Sequence, residues 1–256
     1  MQIVNVSKNV GEDNALILDD VNFQVFSGEL VVILGPSGAG KSTLLNLIGG
    51  LDRPTVGEVK IGQTTTTVLS EDVLSSFRCL NVGFIFQTYN LISTLTALEN
   101  VQFPMKLAGC EDEAIIDKRS IDLLTAVGLI GKSGHLSYQL SCGEQQRVAI
   151  ARTLALKPEI ILFDEPMSAL DAETRLQLRD ELKVIQKEFN TTMVYVTHDQ
   201  EEAFAMSDRI MVMDAGKMMQ IGTPETIINE PANEYVTEFV VNSLKLKMES
   251  LRKYIK

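Results

Sequence analysis

Leu30-Val31-Val32-Ile33-Leu34-Gly35-Pro36-Ser37-Gly38-Ala39-Gly40-Lys41-Ser42-Thr43-Leu44-Leu45 is the most informative stretch of the chain. Its first five residues form a continuous apolar run, the pattern of a strand buried on both faces. A glycine-rich turn follows. Leu44, Leu45, Leu47 and Ile48 then recur with helical spacing up to Gly49-Gly50, a glycine stop. Gly35 to Ser42 matches GxxxxGK(S/T), with Ser37 inside the loop and Thr43 just after it. Gly35, Gly38 and Gly40 let successive backbone N–H groups turn inward around phosphate oxygens, and the helix presents its positive N-terminus to the same anion. Lys41 then reaches the β- and γ-phosphates, and the Ser42 hydroxyl can ligate Mg²⁺. The plain alternative, a glycine turn joining strand to helix, leaves Lys41 and Ser42 unexplained.

Outward from this loop, Val21 to Val25 alternates as a strand does, and Val56 to Ile61 and Val82 to Phe86 read as further strands. The segment between Gln87 and Gly128 is mainly helical. Ile160 to Phe163 and Met193 to Thr197 return to buried-strand character, separated by a helix with Leu178, Leu182, Ile185 and Phe189 on one face. This is alternating α/β order around a helical insertion. At 256 residues, 45% hydrophobic and 22% charged, the chain can bury a sizeable core without staples. No stretch approaches the 18 or so apolar residues of a membrane span, and the N-terminus carries no basic region followed by an apolar one. Cys79, Cys110 and Cys142 form neither a disulfide framework nor a zinc site, so a reducing cytoplasm is expected. The formal charge of -11 and pI near 4.7 argue against nucleic acid as a partner. Only the end is basic, with Lys245, Lys247, Arg252, Lys253 and Lys256 against Glu249 alone over residues 241 to 256. Val240, Leu244, Met248, Leu251 and Ile255 give that segment helical spacing.

Ile160-Ile161-Leu162-Phe163-Asp164-Glu165 places two acids at the end of a buried strand. Unpaired charge there would be expensive, so a metal-phosphate site is a plausible partner. Asp164 can hold Mg²⁺, and Glu165 can orient the attacking water or accept its proton. The bland reading is an acidic turn entering solvent. Ser141-Cys142-Gly143-Glu144 opens a helix through Ala155 with a capping box, which alone indicates only a well-capped helix. His198, after an apolar strand, taken alone reads as a structural histidine.

Leu140-Ser141-Cys142-Gly143-Glu144-Gln145-Gln146-Arg147 resembles the LSGGQ signature of ABC-type ATPases. The order of motifs also resembles that family: phosphate loop, Gln87 after a strand, signature, acidic strand end, Ser168-Ala169-Leu170-Asp171, and His198 after another strand. The resemblance reaches from the start to about Phe239. It implies an α/β fold, a P-loop NTPase (RecA-like) core with an antiparallel β subdomain and a helical ABC-specific subdomain at about 88–150. An ABC ATPase domain would then span 1–239, followed by a basic amphipathic helix at 240–256. It further implies that ATP and Mg²⁺ bind, with Ser42, Gln87 and Asp164 around the metal. Gln87 would couple nucleotide state to a membrane partner, and His198 would touch the γ-phosphate. Ser141, Gly143 and Glu144 of the signature would complete the ATP site of a second subunit in a head-to-tail dimer, with Asp171 at its interface.

Two residues depart from the family pattern. Val10 stands where relatives place an aromatic that stacks on adenine, and Cys142 replaces the first glycine of the signature. Thr43 to Pro54 and Val82 to Gly109 resemble the lipoprotein-release and macrolide-export branch, whereas Thr197 to Ala203 and Ile221 to Phe239 resemble importer ATPases. The expected protein is an ATP-hydrolysing subunit, dimeric with ATP, driving integral membrane permease subunits from the cytoplasmic face of the membrane. The alternatives are a cell-division-type signalling ATPase that moves no solute, or a soluble ATPase of DNA repair or translation. The last predicts basic grooves, a long coiled-coil insertion or tandem domains, and the sequence carries none of them.

Overall fold

In the computed structural model, residues 1–252 are described apart from Glu12 and Ala169. The chain forms two compact units, one of Met1–Thr67 with the stretch from Val194 onward, the other of Val68–Met193.

The first unit opens with β1 (Gln2–Val10), β2 (Ala15–Gln24), β3 (Leu30–Leu34), α1 (Lys41–Ile48), β4 (Val56–Ile61) and β5 (Thr64–Thr65). An antiparallel sheet runs in the order β2-β1-β4-β5. Ile3, Val6, Leu18, Val21, Val59 and Ile61 of this sheet are buried. The strand expected over Val21 to Val25 is the end of the longer β2. All five residues of β3 are fully buried, as a continuous apolar run requires, and α1 buries Leu44, Leu45, Leu47 and Ile48. Gly50 closes α1 with left-handed backbone (φ 67°).

The second unit contains α2 (Glu71–Asn81), β6 (Val82–Ile85), α3 (Ala97–Leu107), α4 (Glu113–Ala126), α5 (Cys142–Leu154), β7 (Ile160–Asp164) and α6 (Ala172–Phe189). β6 and β7 are parallel, with Ile85 opposite Phe163. α3 packs against both α4 and α5. It starts at a capping box between Thr96 and Glu99, and Asp112 caps α4.

β8 (Thr192–Thr197) returns the chain to the first unit. α7 (Gln200–Met206), β9 (Arg209–Asp214), β10 (Lys217–Gly222), α8 (Pro224–Asn229) and α9 (Glu234–Val236) follow, then a π-helical stretch over Thr237–Asn242 and α10 (Ser243–Arg252). Strands of the first unit lie in the order β10-β9-β3-β8, with β3 and β9 parallel. The C-terminal helix expected from residue 240 starts its α-helical part at Ser243, because the π-helical stretch intervenes. Residues 253–256, including Ile255, lie outside the described residues. No helix among the described residues is long and apolar enough to cross a membrane.

Candidate nucleotide site

The loop between β3 and α1 is fixed at both ends by buried elements. Gly38 and Gly40 adopt left-handed φ values of 82° and 91°. At Gly40 a Cβ would stand 2.7 Å from Leu18 Cδ2 and 3.1 Å from the Ile17 carbonyl oxygen, so glycine alone fits both the conformation and the space. Gly40 is also the N-cap of α1 and supplies no capping side chain, which leaves the helix N-terminus suited to an anion. Lys41 is buried, and its Nζ donates to the carbonyl oxygens of Gly35 (2.9 Å) and Pro36 (2.8 Å). A buried ammonium is tolerable only with such partners, and these hold it against the loop. Ser37, Gly38 and Ser42 are exposed and Thr43 is half-buried. A cation, an uncapped helix end and a hydroxyl thus meet at one loop, the donor set that a phosphate chain with a hard divalent cation requires. His198, exposed, follows β8, the neighbour of β3, so the two loops leave adjacent strands. Val10 closes β1 and is 48% exposed.

In the second unit, Gln87 follows β6 and Asp164 ends β7, so parallel pairing sends both from the same end of adjacent strands. Glu165 comes next with left-handed backbone, φ 45°, rare outside glycine. Its carbonyl oxygen accepts from Ser168 N–H (3.2 Å) and Ser168 Oγ (2.9 Å), which tie the turn down. Tyr89 and Asn90, just after Gln87, are also left-handed (φ 58° and 47°). The Arg152 guanidinium on α5 donates to the Tyr89 carbonyl at 2.8 Å and the Asn90 carbonyl at 2.6 Å. Burial holds Arg152 below its ordinary pKa. Burial also pushes the Tyr89 phenol up, with a smaller push from Cys142.

Ser141 caps α5 as its sequence predicts. Its Oγ accepts from Glu144 N–H at 3.3 Å, and Glu144 Oε2 accepts from Ser141 N–H at 2.9 Å. Lys132 donates to Glu144 Oε1. That bond first, then the Ser141 N–H, holds the Glu144 carboxyl below its ordinary pKa. A Cβ on Gly143 would stand 2.8 Å from Thr174 Cγ2, so a larger residue there requires the Thr174 side chain to shift. Cys142, the first residue of α5, is exposed. Asp171 caps α6, accepting from Thr174 N–H at 2.9 Å, and Thr174 Oγ1 donates to it at 2.7 Å. The backbone bond from Thr174 leads the lowering of its pKa. Ala169 lies outside the described residues.

Phosphate loop and His198 therefore belong to the first unit; Gln87, Asp164, Glu165 and the signature residues belong to the second. Sequence reasoning missed the left-handed backbone at Tyr89 and Glu165, and it missed Arg152. No residue pattern signals the first two. At Asn90 the residue type, tolerant of positive φ, is a faint signal.

The family described as ABC transporter matches residues 18–168. An Fe(3+) ions import ATP-binding protein of Photorhabdus laumondii is 41% identical over 94% of this chain and 66% of its own length. A sulfate/thiosulfate import ATP-binding protein of Pseudomonas aeruginosa is 42% identical over 97% of this chain and 74% of its own. The chain thus spans just under two thirds of the iron-import relatives. Among solved structures, an ATP-binding cassette in a dimeric post-hydrolysis state with ADP and Pi superposes with a TM-score of 0.78. It is 42% identical, over 87% of this chain and 98% of the cassette.

Proposed function

Because the chain belongs to the ABC transporter family, we propose that it is the ATP-binding and hydrolysing subunit that powers membrane-spanning partner chains through ATP-driven pairing of two copies. The observation that carries this reading is the phosphate loop, with Lys41 held by the Gly35 and Pro36 carbonyls under an uncapped α1. Backbone N–H groups of the loop, among them those of Gly35, Ser37, Gly38 and Gly40, would hold the phosphates of ATP, with Lys41, Ser42 and Thr43. Ser42, Gln87 and Asp164 supply oxygens suited to Mg²⁺, which when bound offsets charge on the phosphate oxygens. Glu165 orients the attacking water and takes its proton, while His198 contacts the γ-phosphate. Ser141, Gly143 and Glu144 present the signature to the nucleotide of the partner copy. The cap bonds of Ser141 and Glu144 keep that helix end ordered for the contact.

Import is the favoured direction, since the relatives quoted above are named as import proteins. Their cargoes differ, ferric iron in one and sulfate or thiosulfate in the other, so cargo choice lies with the partner chains. Those chains place this subunit at the cytoplasmic face of the membrane. The acidic charge supports protein partners over nucleic acid.

Glu165→Gln tests the reading. ATP affinity should stay within about threefold of the parent, turnover should fall by about a hundredfold or more, and the variant should dimerise with ATP and Mg²⁺. Hydrolysis at the parent rate would overturn the role of Glu165. Failure to bind ATP in the parent would overturn the whole proposal.

A further inference from the structure

Glu202 sits on α7, four residues past His198, with 6% of its surface exposed. A buried carboxylate is costly unless hydrogen-bonded, and an apolar residue would pack there at less expense. Its bonds lead back to the residues flanking the histidine. Glu202 Oε2 accepts from Tyr195 Oη at 3.0 Å and from Thr197 Oγ1 at 2.9 Å. Thr197 Oγ1 in turn accepts from Asp199 N–H at 2.9 Å. Asp199 Oδ1 accepts from Glu201 N–H at 2.7 Å and Glu202 N–H at 3.3 Å.

These contacts close a ring. Thr197 donates to Glu202, the Glu202 N–H donates to Asp199, and the Asp199 N–H donates to Thr197. His198 is the one residue between Thr197 and Asp199, so its backbone is clamped from both sides. Tyr195 anchors the ring to β8, where its ring is fully buried. His198 itself is exposed. We propose that Glu202 is the positioning residue for His198, setting the imidazole through Thr197 and Asp199. This inference rests on His198 acting at the γ-phosphate.

Displacing a reacting group by a fraction of an ångström lowers turnover more than substrate affinity. Glu202→Gln and Thr197→Val should each lower kcat by about tenfold, with KM for ATP within about twofold of the parent. Thr197→Ser keeps the hydroxyl and should stay within about twofold. In a His198→Ala background, Glu202→Gln and Thr197→Val should cost less than about twofold further. Full additivity there would overturn the inference in favour of a purely structural carboxylate. The chain has two histidines, so the ring resonances of His198 and His135 can be followed separately by NMR, with His135→Asn giving the assignment. Glu202→Gln should shift and broaden the His198 signal and leave His135 unmoved. An unmoved His198 signal would overturn the inference. Parent-like turnover in His198→Ala would remove the catalytic role of the histidine, and a shifted His198 signal would still support the positioning.

Discussion

Arg152 should be a sensitive position in the second unit, because it holds a backbone turn just after Gln87. Left-handed backbone strains an L residue by roughly 1–2 kcal/mol, and Tyr89 and Asn90 adopt it in succession. The guanidinium bonds to their carbonyls, at 2.8 and 2.6 Å, oppose that strain. Hydrogen bonds to a charged group contribute about 1.5–3 kcal/mol each, and the lower figure applies because Asn90 is exposed. Arg152→Ala should therefore destabilise the chain by about 3 kcal/mol. At about 2–4 °C per kcal/mol for a chain of this size, the Tm should fall by about 6–12 °C. Arg152→Lys offers one compact ammonium in place of a fork, so it should recover about half of the loss. Thermal unfolding by circular dichroism without nucleotide reads the stability. Turnover reads the Gln87 loop, and kcat should fall in Arg152→Ala at nucleotide concentrations that saturate the site. A Tm within about 2 °C of the parent would show that the Tyr89–Asn90 turn holds without Arg152, and the argument from strain would fail.

Glu144 has a lowered pKa, so its ionised form contributes stability that is complete above the ordinary glutamate range near about 4.3 and is lost as pH falls through the lower folded value. The Tm gap between the parent and Glu144→Gln should be full at neutral pH and close below about pH 4; a constant gap across that range would contradict the Lys132 and Ser141 contacts. At the position proposed for adenine contact, Val10 would offer apolar contact without stacking, so ATP and GTP turnover should agree within about threefold, and a tenfold preference for ATP would mean that another residue stacks. Cys142 is exposed at the start of α5 and should react with maleimide in the nucleotide-free chain. With Cys79 and Cys110 replaced, ATP and Mg²⁺ should protect it in the Glu165→Gln variant. Unchanged labelling would remove Cys142 from the paired interface.

What the sequence makes legible here is local. β3 announces itself by five apolar residues that need two covered faces, α1 by spacing that glycine ends, and α5 by a cap complete within four residues, Ser141 to Glu144. Each signal lies within one turn or one strand, so it survives without knowledge of the fold. α2 was missed although Val73, Leu74, Phe77 and Leu80 recur at helical spacing, and of these only Leu74 is buried. The π-helical turn before α10 was missed because nothing in Thr237 to Asn242 differs in composition from an α-helix. The supports of the site were missed for a different reason. Arg152 lies 62 and 63 residues from the carbonyls it holds, so the support of the left-handed turn at Tyr89 and Asn90 comes from a distant part of the chain, whereas the turn at Glu165 is tied locally by Ser168. Glu202 shows the middle case: its partners are five and seven residues away, close in sequence, yet the ring depends on a strand and a helix meeting across the loop that carries His198. Groups that touch a ligand sit on loops after strands and repeat recognisable spacings. Groups that aim them are specified by tertiary contact, so a substitution such as Arg152→Ala or Glu202→Gln leaves every motif intact and should still disturb the proposed chemistry.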